Sequence, residues 1–270
     1  MEPPGTLYVV STPIGNLGDI TYRAIETLRA VGLIVAEDTR HTRTLLTRYN
    51  VRTRSESYHQ HNEAEMTPRL LAALAKGTDV ALVSDAGTPL LSDPGSRLVE
   101  AAIAHGIPVA PVPGASALLA ALVGSGLDVA TFLFVGFLPR RGGERDRVLS
   151  MLSDLPQTSV LYEAPSRVGA TLAELERLGC GRRKGVVARE LTKQFEEFRR
   201  GTVSELAEYY AHEDLKGEVV ILLAGRDEPP TDEMQLAAVA RDLRVQGYRD
   251  RKSTRLNSSH IQKSRMPSSA

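Results

Sequence analysis

Two carboxylates in one short loop carry the most chemical information in this chain. The run Ser84-Asp85-Ala86-Gly87-Thr88-Pro89-Leu90-Leu91-Ser92-Asp93-Pro94-Gly95 follows a β-type stretch, 79–83, and precedes a helical one that begins near Ser96. Asp85 and Asp93 can accept hydrogen bonds from ribose hydroxyls or from an amino group. Glycine lets the backbone approach a ligand, and the prolines set the loop's shape in advance. A loop of this kind at the carboxyl end of a strand is where open α/β sheets hold small ligands. Two more loops share the pattern: Ser11-Thr12-Pro13-Ile14-Gly15 ends the first strand, and Pro113-Gly114-Ala115-Ser116 ends the last strand of the first half. Turn chemistry accounts for any one of them; three on one edge of a parallel sheet predict a pocket. Neither a GxGxxG turn nor a GxxxxGK[ST] loop is present, so the predicted ligand carries no polyphosphate.

Basic residues cluster in two places. Between Arg40 and Arg54 lie five arginines (Arg40, Arg43, Arg48, Arg52, Arg54) and no carboxylate, with Tyr49, Tyr58, His59 and His61 in or just beyond the segment. Arginine pairs bidentately with phosphate and aromatic rings stack on unpaired bases, so this stretch is a candidate RNA contact. A second basic loop, 139–145, contains Arg140 and Arg141. His59 and His61 have no nearby Cys or Asp to complete a metal site, and no metal is predicted. Cys180, between two glycines, has no evident histidine partner and is not expected to be a nucleophile.

The elements that must position these loops alternate between β-type and amphipathic helical runs, which predicts an α/β fold. In the first half the strands are placed at 6–11, 33–36, 79–83 and 108–111. Helices lie between them: one capped by Asp19, one ending near Tyr49, one running to Lys76 from Asn62 or Thr67, and one over 96–105. The small apolar stretch 116–128 reads as a domain junction. Beyond it come strands 132–136, 158–163, 185–189, 195–201 and 218–224, with helices 145–153, 166–178 and 204–210. Consecutive strands with few helices predict a mixed or antiparallel second sheet. The predicted organisation is an N-terminal α/β domain over 5–116, a C-terminal α/β domain over 119–227 completing the cleft, and a helical remnant over 228–249. Residues 250–270 resemble the in-frame translation of a sequencing adapter and are excluded from fold reasoning.

The chain has 270 residues, 42% of them hydrophobic, and a formal charge of zero. Residues 250–270 contribute five of the 33 basic residues and one of the 33 acidic ones, so the remainder stands at −4. Nucleic acid would therefore be met through local patches, not by a uniformly basic surface. One cysteine, Cys180, excludes an internal disulfide and suits a reducing cytoplasm. No apolar run approaches the ~20 residues a membrane span needs. A soluble cytoplasmic protein is expected.

Six motifs in order resemble the tetrapyrrole-methylase class of S-adenosylmethionine-dependent methyltransferases: the three loops above, with the first extending to Asp19, and Ala36-Glu37-Asp38-Thr39-Arg40, Tyr162-Glu163-Ala164-Pro165-Ser166-Arg167 and Arg189-Glu190-Leu191-Thr192-Lys193. The Ala-Glu-Asp-Thr-Arg and Arg-Glu-Leu-Thr-Lys runs favour the branch that methylates a cytidine 2′-hydroxyl of small-subunit ribosomal RNA over its porphyrinoid-modifying relatives. The resemblance covers about 5–226. It implies a tetrapyrrole-methylase-like fold of two α/β domains, mostly parallel sheet in the first and mixed sheet in the second. S-adenosylmethionine would lie in the cleft, and the protein would be a homodimer. By motif position Pro13, Asp85, Gly87, Thr88, Ser116, Tyr162 and Leu223 would contact the cofactor. Arg40, Arg43, Arg48, Arg140, Arg141 and Lys193 would face RNA. A 2′-hydroxyl must lose its proton during attack; the candidate bases are Glu37, Asp38 and Glu163, with His59 and Lys193 behind them, and Glu37 or Asp38 is favoured because both follow a strand end near the cofactor loops. The alternatives are methylation of a porphyrinoid or other small acceptor, and a non-catalytic RNA-binding module.

Overall fold

Parallel strands covered on both faces need apolar side chains in both directions, and the first five strands follow that rule wherever they are central. In the computed structural model, which describes residues 3–213 and 215–226, the strands β1 (Leu7–Val10), β2 (Leu33–Ala36), β3 (Ser55–Ser57), β4 (Val80–Val83) and β5 (Val109–Val112) form a sheet of order β3-β2-β4-β1-β5. Every pairing in it is parallel. All residues of β2 and β4 are buried. Alternate residues divide between two cores. Leu33, Val35, Val80 and Leu82 meet helices α3 (Glu63–Ala75) and α4 (Ser96–Ala104) through Leu70, Leu74, Leu98 and Ala102. Ile34, Ala36, Ala81 and Val83 meet α1 (Tyr22–Ala30) and α2 (Thr39–Arg48) through Ala24, Leu28 and Leu46.

The second sheet is mixed, with order β6-β7-β10-β8-β9, built from β6 (Phe132–Phe137), β7 (Thr158–Glu163), β8 (Lys184–Arg189), β9 (Glu197–Thr202) and β10 (Val219–Leu223). β6 and β7 run parallel and the other pairs antiparallel. Helices α6 (Gly143–Asp154), α7 (Val168–Leu175) and α8 (Val203–Tyr210) cover one face, on Leu161, Val187, Ile221 and Leu223. The other face carries Val160, Val186, Val220 and Leu222, and meets Ile14 of the first loop and helix α5 (Ala117–Ser125).

Several expectations need correction. The junction stretch 116–128 carries a helix, α5, packed through Leu118, Ala121 and Leu122 on the second sheet and followed by Gly126 in the left-handed region. With almost no polar residues, it lacks the two-faced periodicity by which a sequence marks a helix. Thr21, not Asp19, caps α1, its hydroxyl accepting from the Ala24 N–H at 3.1 Å; Asp19 belongs to a short 3-10 turn. The polar edge strand β3 was missed. Cys180 is a buried core residue. Among the described residues no helix is long and apolar enough to cross a membrane, and no group of His, Cys, Asp or Glu could hold a metal ion. The predicted helical remnant (228–249) and the adapter-like tail (250–270) lie outside the described residues.

If α5 belongs to the core, Leu122→Ala should lower unfolding free energy by about 2–5 kcal/mol. A true junction residue would cost under about 0.5 kcal/mol. Urea melts of the two proteins distinguish these outcomes.

Candidate active site

β1 lies between β4 and β5, so the loops leaving these three strands are neighbours. Hydrogen bonds then lock them together. The Thr12 N–H donates to Gly87 O at 2.8 Å, and the Gly87 N–H donates back to Thr12 O at 3.0 Å. The Thr12 hydroxyl donates to Ser84 O at 3.2 Å. The Ser11 and Thr88 hydroxyls lie 3.1 Å apart, and that of Thr88 donates to Ala115 O at 3.2 Å in the third loop. The turn requires φ of +79° at Gly87, where a Cβ would also stand 3.2 Å from Ile14 Cγ2. Only glycine takes that conformation without strain.

A fourth loop closes in from the second sheet. After β8 the chain holds Glu190 and Thr192 at positive φ (52° and 64°). Thr192 Oγ1 accepts from the Asn16 N–H at 3.2 Å. Gly15 is so close that a Cβ there would sit 2.5 Å from Lys193 Cγ. Lys193 bridges Glu190 (2.8 Å) and Glu218 (2.9 Å), tying the fourth loop to the start of β10.

These loops and the second sheet enclose a cavity of about 330 Å³. Asp85, Gly87, Thr88, Asp93 and Ser116 face it from one side, and Tyr162, Leu191, Val219 and Val220 from the other. The Tyr162 ring is held edge-to-face by Phe134 (5.0 Å) and Phe137 (5.3 Å). Burial pushes its hydroxyl above the usual tyrosine range. A second cavity, also about 330 Å³, adjoins the first and shares Ile14, Asp85, Ala86 and Glu218 with it.

The electrostatics of this region are one-sided. Burial, then the charges of Glu37 and Asp85, push the Asp93 carboxyl up to about 6 against a bond from Ser84. Burial and then Asp85 raise Glu37, with His59 opposing. Among the described residues no ion pair reaches Glu37, Asp85 or Asp93. Like charges brought together out of water resist ionisation, and a cation placed among them relieves the repulsion. The site therefore suits a small ligand with a positive centre and an apolar body.

Of the predicted cofactor residues, Asp85, Gly87, Thr88, Ser116 and Tyr162 line the first cavity, and Pro13 lines the second. Leu223 lines neither. Leu223 packs with Ile221 in the core beneath α6–α8 at the far end of β10, whereas Val219 and Val220 at the start of that strand reach the cavity. Two of the candidate bases are otherwise engaged. Asp38 caps α2, accepting from the Arg40 N–H at 2.8 Å, and pairs with the Arg40 guanidinium; these bonds hold its carboxyl down at about 2. Glu163 is 2% exposed and fully bonded, by Thr171 (2.7 Å), the Ala164 N–H (2.8 Å) and Arg167 Nε (2.7 Å), with Arg145 at 3.5 Å. Glu37 is left without such partners. Arg43, Arg48, Arg140 and Arg141 are exposed, while Arg40 leans on Asp38 and Lys193 is pinned between its two glutamates. Phe137, Leu191 and Val220 were not anticipated. Their residue types carry no chemical signal, although inward parity on β10 would have found Val220.

The family model of tetrapyrrole (corrin/porphyrin) methylases matches residues 6–207. A ribosomal RNA small subunit methyltransferase I of Mesorhizobium japonicum is 51% identical over 249 residues, which is 90% of this chain and 84% of that protein. A protein of the same name from Micromonospora olivasterospora is 50% identical over 230 residues, 85% of this chain and 73% of its own length. Among solved structures, the uroporphyrin-III C-methyltransferase of Thermus thermophilus complexed with S-adenyl homocysteine superposes with a TM-score of 0.59 at 23% identity, covering 82% of this chain and 97% of that one.

The raised Asp93 value has a consequence for stability. Its neutral form favours the fold; that contribution is full below the ordinary value of 3.8 and is lost as pH rises through about 6. Asp93→Asn should therefore melt higher than the parent at pH 7.5, by a margin that shrinks as pH falls from 6 towards 4. Melting curves across that range test it, and a margin that widens towards acid would refute it.

Proposed function

We infer the function from one premise: the chain belongs to the tetrapyrrole (corrin/porphyrin) methylase family. It is an S-adenosylmethionine-dependent methyltransferase acting on small-subunit ribosomal RNA, as its half-identical relatives are named. The acceptor we propose is a cytidine ribose 2′-hydroxyl, the acceptor implied by the Ala36–Arg40 and Arg189–Lys193 runs. The observation that carries the cofactor assignment is the pair Asp85 and Asp93, without a cationic partner among the described residues, at a cavity whose other wall is apolar and aromatic.

S-adenosylmethionine, when bound, supplies a methyl group already activated on a sulfonium cation. Asp85 and Asp93 offer that cation its countercharge, and the Gly87 turn lets backbone come close to it. Tyr162, Leu191 and Val220 provide the apolar wall and exclude water. Alignment and desolvation are then the protein's main contributions. Glu37 is the proposed base: it stands behind the cavity lining, near enough to Asp85 and Asp93 to interact with their charges, and its raised proton affinity suits removal of a hydroxyl proton better than an ordinary carboxylate's. Asp38 and Glu163 are positioning residues, the first for α2 and the second for the Tyr162–Pro165 wall. A homodimer and a cytoplasmic location accompany this proposal; light scattering on the purified protein tests the first.

The deciding experiment is transfer of labelled methyl to small ribosomal subunits lacking the modification, with a porphyrinoid precursor in parallel. Label is expected on one cytidine 2′-oxygen. Glu37→Gln should lower kcat by about 10²–10⁴-fold with a much smaller loss of cofactor affinity than Asp85→Ala, which should lose cofactor affinity itself. Label on the porphyrinoid alone would establish the small-acceptor alternative. Transfer unaffected by Asp85→Ala would overturn the assignment of the cavity.

A further inference from the structure

The cofactor assignment uses only one of two equal cavities. The second is walled by the first loop (Pro13, Leu17), by the α2 side chains of His41, Thr44 and Leu45, and by Lys193. It meets the first cavity at Ile14, Asp85, Ala86 and Glu218, so whatever occupies it lies beside the proposed methyl donor. On its far side Gly15, Leu17 and Lys193 continue into an open groove of about 670 Å³ that also holds Arg48 and Tyr49. His41, Thr44 and Arg48 are spaced i, i+3 and i+7 along the exposed face of α2, which lines this path from chamber to surface. Among the described residues no carboxylate pairs with Arg48, whereas Lys193 is already neutralised by two.

We propose that the second cavity is the acceptor chamber, taking one unpaired ribonucleotide whose flanking phosphate is held by Arg48; this rests on the RNA-methylating function inferred above. A chamber of about 330 Å³ is at the small end of ligand pockets. It suits a single splayed nucleotide and not a base pair, which is how RNA sequence is commonly read. His41 offers an imidazole face for the base and Thr44 a hydroxyl for its edge. The 2′-hydroxyl then faces Asp85 and the donor cavity. Arg48 sits where the strand must leave, with five donors for a phosphate.

The chamber can be filled without touching the cofactor cavity. Thr44→Trp adds bulk from an exposed helical position, and Glu26→Trp adds the same bulk on the exposed surface of α1 as a control. With S-adenosylhomocysteine present, so that no reaction occurs, binding to unmodified small subunits is measured by co-sedimentation. Thr44→Trp should bind about 10- to 100-fold more weakly, the worth of a stacked base, while its affinity for S-adenosylhomocysteine by calorimetry is unchanged. Glu26→Trp should match the parent in both. Arg48→Ala should flatten the salt dependence of subunit binding by roughly 0.7 in log–log slope, one phosphate contact to a single strand. Parent-like subunit binding and methyl transfer by Thr44→Trp would overturn the chamber. Should Thr44→Trp also lose cofactor affinity, His41→Ala and Arg48→Ala decide: unchanged subunit affinity and salt slope in both would overturn it. A parent protein that neither binds nor methylates subunits, yet binds S-adenosylhomocysteine, would bring down the RNA function itself and not the chamber alone.

Discussion

The reciprocal pair of backbone bonds between Thr12 and Gly87 is the constraint on which the rest of the site depends. Strands β1 and β4 are parallel neighbours, and their loops would otherwise diverge after the last ladder bond. One short antiparallel bridge between the loops holds them together instead. It aims Asp85 at both cavities and presents Ile14 to the second sheet, where Ile14 is buried with Leu118, Leu191 and Val220. A single apolar residue from the first sheet's loop thus becomes part of the second sheet's core. The cleft between the sheets is fixed by packing on one side and by backbone hydrogen bonds on the other. The absence of a Cβ at Gly87 and Gly15 permits both approaches.

The charged groups around the cleft divide into two kinds. Behind the Tyr162–Pro165 wall, Glu163 is surrounded by Arg145, Arg167 and Thr171, and Arg145 also reaches Glu174. Removing one partner there would strand a buried charge, which is costly, so that network defines a single arrangement of the wall. In front, no cation among the described residues pairs with Glu37, Asp85 or Asp93, although the Asp38 N–H donates to Asp85 Oδ1 at 3.0 Å; burial, with mutual repulsion behind it, raises the proton affinities of Glu37 and Asp93. Such groups lower the stability of the ligand-free protein. A ligand carrying positive charge would make good that deficit, which is how binding energy and fold energy become linked.

Much of this was legible from the chain, and the failures have physical causes. The strands 33–36 and 158–163 were placed to the residue because their apolar runs are bounded by clear turn chemistry. The three ligand loops were legible for the same reason: Gly, Pro and Asp at strand ends have few other uses. Helix α5 was not, since it lacks a polar face and so lacks a period. Leu223 and Glu163 show what motif position does not carry: the place of a residue along its strand and the partners of a carboxylate. Leu223 packs in the core at the far end of β10, and Glu163, although it borders the cavity, has its oxygens taken by residues 145, 167 and 171. Asp93 shows the converse. Its residue type was visible in the loop, but its raised value arises first from burial and then from the charge of Glu37, distant in sequence and on a different strand end.

The choice of base follows from this contrast between paired and unpaired carboxylates. Asp38 and Glu37 are adjacent in sequence and leave the same strand, β2, yet they meet opposite surroundings. The Arg40 guanidinium, and after it the N-terminal N–H of α2, lower the Asp38 carboxyl to about 2, so that it has almost no affinity for a proton near neutrality. Glu37 gains proton affinity first from burial and then from the neighbouring charge of Asp85. A methyl donor carrying positive charge would draw those carboxylates back towards the ionised state. The same ligand that brings the methyl group would thereby leave Glu37 deprotonated and ready to accept the acceptor's proton. Adjacent acids with opposed environments give one a structural role and leave the other available for chemistry.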